Sequence, residues 1–388
     1  MRSSLAVLIA TVAVLACVGA TEEGKPGEDD IRAVAAADLA FATDLYPRLA
    51  ANDQNLVFCP PGVAGLLALA GTGSRGPTRT SLLSVLPLPG ASEQTLEAFG
   101  DWRARLAGKS DERTTLEWTS TVLSDPSHPL LAAFQDMARL KFNAEIPTEP
   151  SLDPDTGIVL KSRVHFFGHW RYEFAAAATK PGPFFLAGGR EVSVPFMHTE
   201  TDFKFYHETG RLFGLGPGRV SLLELPYGNG TYSMVVILPD RRTGLADLEG
   251  SLSAATLAEW LESLDKSEPK TVILSLPRFD THSELRLMEA LTSMGLGPAG
   301  KIYVADFSQV SSNPTYISKV VQNAAVKVDE AGTEAEAETV VVLSPFGVGG
   351  PPPPEPRVVK VDHPFVFLIR DNTTGAPLFM GRISDPTR

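Results

Sequence analysis

The chain has 388 residues, with 46 Asp and Glu against 34 Lys and Arg, a formal net charge of −12 and 43% hydrophobic residues. That apolar content excludes an intrinsically disordered chain, and at roughly 150 residues per domain the length allows two or three domains or one large mixed unit. The acidic balance excludes a general nucleic-acid binder, which needs cations to displace counterions from phosphates, and admits a polyanion only at a local basic patch.

The first element is a leader. Arg2 precedes an apolar run over residues 5–15, and Val18 and Ala20 supply small residues before a cut after Ala20, so residues 1–20 read as a secretory signal. The run is shorter than the roughly 20 apolar residues that span a bilayer, and no later segment approaches that length. Residues 21–388 are expected to be extracellular, monomeric and without a membrane anchor. The sequons at Asn229 and Asn372 fit export as glycosylation sites, whereas Pro314 blocks the one at Asn313. Cys17 leaves with the leader, and Cys59 stands in a strand-like apolar stretch where a lone thiol packs as a small hydrophobe. A secreted chain without an internal disulfide is held by its core, which favours one large domain over residues 21–388.

Beyond the leader, Leu39, Ala42, Leu45 and Leu49 recur at helical spacing, a short strand lies around Val57, and residues 63–70 form an almost wholly apolar, hence buried, helix. Further helices are predicted over 94–106, 129–142 and 254–264. Strands are predicted over 116–123, 158–167, 192–197, 203–205, 220–225, 232–238, 271–276, 324–328, 365–369 and 378–383. Helices crowd the N-terminal half and strands the C-terminal half, which is the pattern of an α+β fold. Residues 344–357 are too rich in Gly and Pro to pair inside a sheet and read as an exposed loop, with Pro351 to Pro354 as a stiff spacer.

Motifs for chemistry are scarce. Gly71, Gly73 and Gly76 match a dinucleotide-loop spacing, but they end a helical run where such a loop follows a strand, so they read as helix stop and turn. His165 and His169 share one face of a strand with no third ligand in the pattern, and no nucleophile elbow, zinc or phosphate-loop motif is present. The residues therefore predict no enzyme, no metal and no cofactor.

The informative stretch begins at Glu330-Ala331-Gly332. With a period of two, Thr333, Ala335, Ala337 and Thr339 fall on one face and Glu334, Glu336 and Glu338 on the other. Ala and Glu also favour a helix. Gly332 before the stretch, and the Val run and Gly/Pro loop after it, favour an exposed extended segment whose small face fits a sheet.

These residues resemble the proximal hinge of an inhibitory serpin. Ile317-Ser318-Lys319-Val320-Val321 is similar to the strand entering that hinge, and His363-Pro364-Phe365 through Arg370 with Leu378 through Ile383 is similar to the family's C-terminal strands. Phe58-Cys59-Pro60, Phe166-Phe167-Gly168-His169-Trp170, Val194-Pro195-Phe196-Met197, Glu224-Leu225-Pro226-Tyr227 and Leu276-Pro277-Arg278-Phe279 add anchors in one order through nearly the whole chain. Gln322 and Met380-Gly381 look most similar to the plasminogen activator inhibitor and nexin branch.

The resemblance implies a serpin fold, in which an N-terminal helical region packs on a large central mixed β-sheet with further sheets and a reactive loop at about 330–357. It further implies a suicide inhibitor of serine proteases: the protease cleaves the loop, stays esterified to it, and is carried off as the loop enters the central sheet as a new strand. The family's usual interval from Glu330 places the scissile bond between Phe346 and Gly347 and implies a chymotrypsin-like target. Leu343 and Arg357 are the runners-up, Arg357 implying a trypsin-like one. The alternative is a non-inhibitory serpin that binds or signals outside the cell.

Three departures from the family stand out. Only residues 147–157 occupy the place of a helix that packs over the central sheet. Cys59, Gly62, Ser162 and Gln322 replace a common Ser, Ser, Asn and His where the sheet opens. The helix 94–106 carries only Arg103 and Arg105 among Glu93, Glu97 and Asp101, so heparin activation is not expected. The three loop glutamates are expected to slow insertion.

Overall fold

In the computed structural model the described residues are 28–388 apart from 51, 89–92, 148–151, 153–155, 209–218 and 334–354. The leader and most of the reactive loop, including Leu343, Phe346 and Gly347, lie outside them. Most of the described helices lie before residue 143, others such as Ala254–Asp265 fall among the later strands, and the strands form three sheets.

Helix Glu28–Leu49 lays Phe41, Ala42 and Leu45 into the core, and helix Pro60–Thr72 is buried along its whole length. Pro60 and Pro61 open the latter without loss, since the first turn of a helix has no carbonyl to receive their missing N–H groups. Its end at Thr72 agrees with the predicted stop. Gly76, however, also opens a helix, Gly76–Val85, that the sequence reading missed.

One six-stranded sheet runs Leu56–Phe58, Pro377–Ile383, Phe365–Asp371, Tyr232–Pro239, Val220–Pro226, Phe205–His207. A four-stranded sheet runs Arg357–Lys360, Lys270–Pro277, Glu191–Phe203, Lys180–Phe185. The central sheet runs Phe279–Arg286, Ile317–Val328, Gly332–Thr333, Ile158–His169, Thr114–Leu123, Ala144–Glu145.

Three of the unpredicted strands, Lys180–Phe185, Phe279–Arg286 and Arg357–Lys360, are edge strands, paired on one side only, and carry Pro181 and Pro183, charges in alternation, or charged ends rather than a long apolar run. Residues 192–197 belong to a longer strand, Glu191–Phe203, whereas the strand predicted over 203–205 is broken at Lys204, beyond which Phe205–His207 forms a separate strand. The helix predicted from residue 129 begins at Ala132, because Leu130 bridges to Ser311 and the Leu131 N–H donates to Val310 O. Between Ala144–Glu145 and Ile158–His169 there is no helix among the described residues.

Candidate functional site: the hinge and the sheet opening

The two central strands are parallel neighbours over part of their length. Pairing runs from Ile317 with Ile158 to Ala324 with Val164. Beyond that point the strands part, and Gly332–Thr333 lies between them, Thr333 pairing antiparallel with both Val328 and Gly168. The hinge expected to be exposed is instead buried over Glu330 to Thr333.

Burial follows from a set of specific bonds. The Trp170 N–H donates to Ala331 O at 2.8 Å, the Phe174 N–H to Glu330 O at 2.9 Å, and the Trp170 indole N–H to Asp329 O at 2.9 Å. Trp170 in turn stacks on Tyr227 at 4.5 Å, and the Tyr227 hydroxyl meets Thr333 Oγ1 at 2.8 Å. Glu330, 5% exposed, accepts from Thr179 and from both Nε and Nη2 of Arg278, the former at 2.8 Å. Burial pushes its carboxyl pKa up, but the bonds from Arg278 and Thr179 outweigh burial and hold it below the usual value.

Gly332 is required by both conformation and space. Its φ of +155° is one that L side chains rarely adopt, and an added Cβ would lie 1.9 Å from Gly168 O. A cleft of about 380 Å³ opens beside the hinge, lined by residues that include Arg278, Lys327, Asp329 and Glu330.

The four residues expected at the sheet opening come together. Gln322 and Ser162 are partners across the parallel strands. Gln322 accepts from the Cys59 N–H at 2.8 Å and donates to Cys59 O at 2.9 Å, which ties the strand to the start of the buried helix. Gly62 makes room for this: a Cβ there would lie 2.6 Å from Ser162 Oγ and 2.8 Å from Gln322 Nε2. The Ser162 hydroxyl is buried and has no hydrogen-bond partner.

Other expected residues separate. Arg357, the runner-up for cleavage, is the first residue of a strand, pairs with Val272, and lies over the Phe205 ring at 5.3 Å. Of the two arginines on helix Glu93–Ala107, Arg103 points inward at 4% exposure and donates to Ser120 Oγ at 3.3 Å, and burial pushes its pKa down to about 10. Asn229 and Asn372 are both exposed and sit in adjacent turns, the Asn372 N–H donating to Thr231 O. His165 and His169 join no group of three His, Cys, Asp or Glu able to hold a metal among the described residues. Sequence reasoning missed Arg278, Thr179 and Trp170 as holders of the hinge. The Leu276-Pro277-Arg278-Phe279 anchor was visible, but not the role of its arginine.

Comparison with known proteins agrees with this geometry. The family model described as "Serpin (serine protease inhibitor)" matches residues 36–148 and 145–386. The chain is 24% identical to a serine protease inhibitor of Cyanea capillata, covering 86% of this chain and 93% of that one. It is 26% identical to plasminogen activator inhibitor 1 of Bos taurus, covering 91% and 93%. Among solved structures it resembles human thyroxine-binding globulin complexed with thyroxine, with a TM-score of 0.79 at 21% identity over 92% of this chain and 100% of that one. It also resembles native protease nexin-1 with heparin, with a TM-score of 0.77 at 22% identity over 92% and 100%. The buried hinge, the open-topped central sheet and these matches together place the chain in the serpin family.

Proposed function

We propose that the protein is a secreted inhibitor of serine proteases that acts as a suicide substrate, cleaved between Phe346 and Gly347 by a chymotrypsin-like enzyme. The observation that carries this reading is the pairing of Gly332–Thr333, which starts a strand between Ile158–His169 and Ile317–Val328. Continued by sequence number, that register turns Ala335, Ala337 and Thr339 toward the core, opposite Phe166, Val164 and Ser162. Thr339 then arrives at the buried Ser162 hydroxyl that has no partner. The pairing of Arg357 with Val272 weighs against cleavage there.

The chemistry belongs to the protease: its serine attacks the Phe346 carbonyl, the new amino terminus at Gly347 departs, and an ester to Phe346 remains until it is hydrolysed or the loop inserts. Inhibition is the outcome when insertion is faster. The test is incubation with chymotrypsin-like and trypsin-like proteases, followed by denaturing electrophoresis and sequencing of the cut. An SDS-resistant complex with the first class and a new terminus at Gly347 are expected. Cleavage elsewhere without a complex or a rise in thermal stability would overturn the reading.

A second reading has its own support. No helix is described between Glu145 and Ile158, and thyroxine-binding globulin, whose structure this chain resembles, is complexed with thyroxine, so an extracellular binding protein that is cleaved without trapping its protease is the alternative. Heparin accompanies protease nexin-1 in its structure, and the inward-pointing Arg103 on helix Glu93–Ala107 weighs against a heparin-binding face there in this chain.

A further inference from the structure

Two glycosylation sequons meet in space. The turn after strand Val220–Pro226 carries Asn229-Gly230-Thr231, the turn after strand Phe365–Asp371 carries Asn372-Thr373-Thr374, and the Asn372 N–H donates to Thr231 O at 2.8 Å. Both asparagines are exposed, so exposure alone does not choose between them. Their amides differ.

Asn229 bonds through its oxygen. Oδ1 accepts from the Thr231 N–H at 2.8 Å and from the Thr231 hydroxyl at 2.7 Å, a turn closed within the sequon itself. Gly228 and Gly230, at φ of +42° and +91°, carry the backbone round it. Among the described residues the Asn229 Nδ2 makes no bond, which leaves it to solvent.

Asn372 is held at both ends. Its Nδ2 donates to Gly230 O at 3.0 Å, and its Oδ1 meets the Ser233 hydroxyl at 2.7 Å. The same hydroxyl meets Glu224 Oε1, to which Arg370 donates at 2.8 Å, so the Asn372 amide caps a buried ionic network. Its sequon threonine is engaged as well: the Thr374 hydroxyl donates to Asp371 Oδ2 at 2.6 Å, and Asp371 pairs with Lys109.

The order of synthesis sharpens the contrast. The partners of Asn372 precede it in the chain, Gly230 by 142 residues. A chain made and exported from its N-terminal side presents Asn229 before the neighbouring turn exists, whereas Asn372 arrives with Gly230 and Ser233 already there to capture its amide.

We propose that Asn229 is the glycan acceptor of this protein and that Asn372 stays bare, its amide held by Gly230 and Ser233. The co-substrate is a lipid-linked oligosaccharyl diphosphate. The Asn229 Nδ2 bonds to its anomeric carbon, the bond from that carbon to the diphosphate oxygen breaks, the lipid diphosphate leaves, and the amide gives up one proton to the transferase. The assignment rests on the secreted reading and narrows two expected sites to one. It sets the glycan beside the segment that holds the hinge, since the Gly228 N–H donates to His169 O at 2.8 Å next to Trp170.

The test is site mapping. The chain is produced in a eukaryotic secretory host, collected from the medium, treated with a peptide N-glycosidase in heavy-oxygen water and analysed by mass spectrometry, which reads each glycosylated Asn as a labelled Asp. Label at Asn229 and none at Asn372 is expected. N229Q is expected to lose the whole glycan shift on electrophoresis and still to show no label at Asn372, and N372Q to keep the full shift. The native chain alone decides if either variant is not secreted. Label at Asn372, in the native chain or in N229Q, would overturn the assignment, as would a secreted chain labelled at neither site. A chain kept inside the cell with its leader attached would overturn the export reading and the assignment with it.

Discussion

Gln322 spans the interior to hold both backbone groups of Cys59, accepting from its N–H and donating to its carbonyl, 263 residues away in the chain. The bond pair joins the central strand Ile317–Val328 to the first turn of helix Pro60–Thr72. Gln322→Ala leaves the buried Cys59 N–H unpaired, and the expected loss is about 2 kcal/mol in urea unfolding.

Gly62 and Gln322 occupy one space. Gly62→Ser forces its Cβ against Ser162 and Gln322, and a loss of about 1–3 kcal/mol is expected. In the Gln322→Ala background the clash with Gln322 is gone while that with Ser162 Oγ remains, so the two losses should fall short of additivity. A double-mutant cycle of unfolding free energies measures the difference; strict additivity would mean the two side chains do not compete.

The hinge anchor is an ion pair with one exposed end. Glu330 is nearly buried while the Arg278 side chain is 43% exposed, so screening lowers the contribution of the pair, and Arg278→Ala is expected to cost about 1–2 kcal/mol. Because the Glu330 pKa is held below its ordinary value, its contribution is present above the unfolded-state pKa and is lost as pH falls through the folded one. Protection from hydrogen exchange at Ala331 to Thr333, relative to the intrinsic rate at each pH, should therefore fall as pH drops through the lowered Glu330 pKa. In Glu330→Gln it should already be low at neutral pH.

Gly332→Ala places a side chain on a glycine-only backbone and against Gly168 O. The expected result is release of Thr333 from both strands with the rest of the fold intact, read as loss of protection at Thr333 and new protease sensitivity near residue 332. Retained protection would show that the backbone there accommodates a Cβ.

Burial pushes the Cys59 thiol far above the usual range, so almost no thiolate exists at neutral pH. Cys59 is expected to resist a thiol-alkylating reagent in the native state and to label fully in denaturant, measured on the peptide that contains it. Labelling of the folded protein would mean that the start of the buried helix opens on its own.

Local patterns were legible without a structure. The alternation of Thr333, Ala335, Ala337 and Thr339 against three glutamates reports which faces a strand presents, the run 63–70 reports full burial, and ordered anchors across the chain carry the family and the fold. Edge strands such as Phe279–Arg286 escaped because half of each faces water and no apolar run marks it. Only the tertiary structure decided that Arg278 and Trp170 hold the hinge, that Arg103 points inward, and that Thr333 pairs with Gly168 and Val328. Periodicity names the face of a strand but not the strand beside it. Partner and register are set by contacts between residues far apart in the chain, and in this protein they seat Thr333 between Gly168 and Val328.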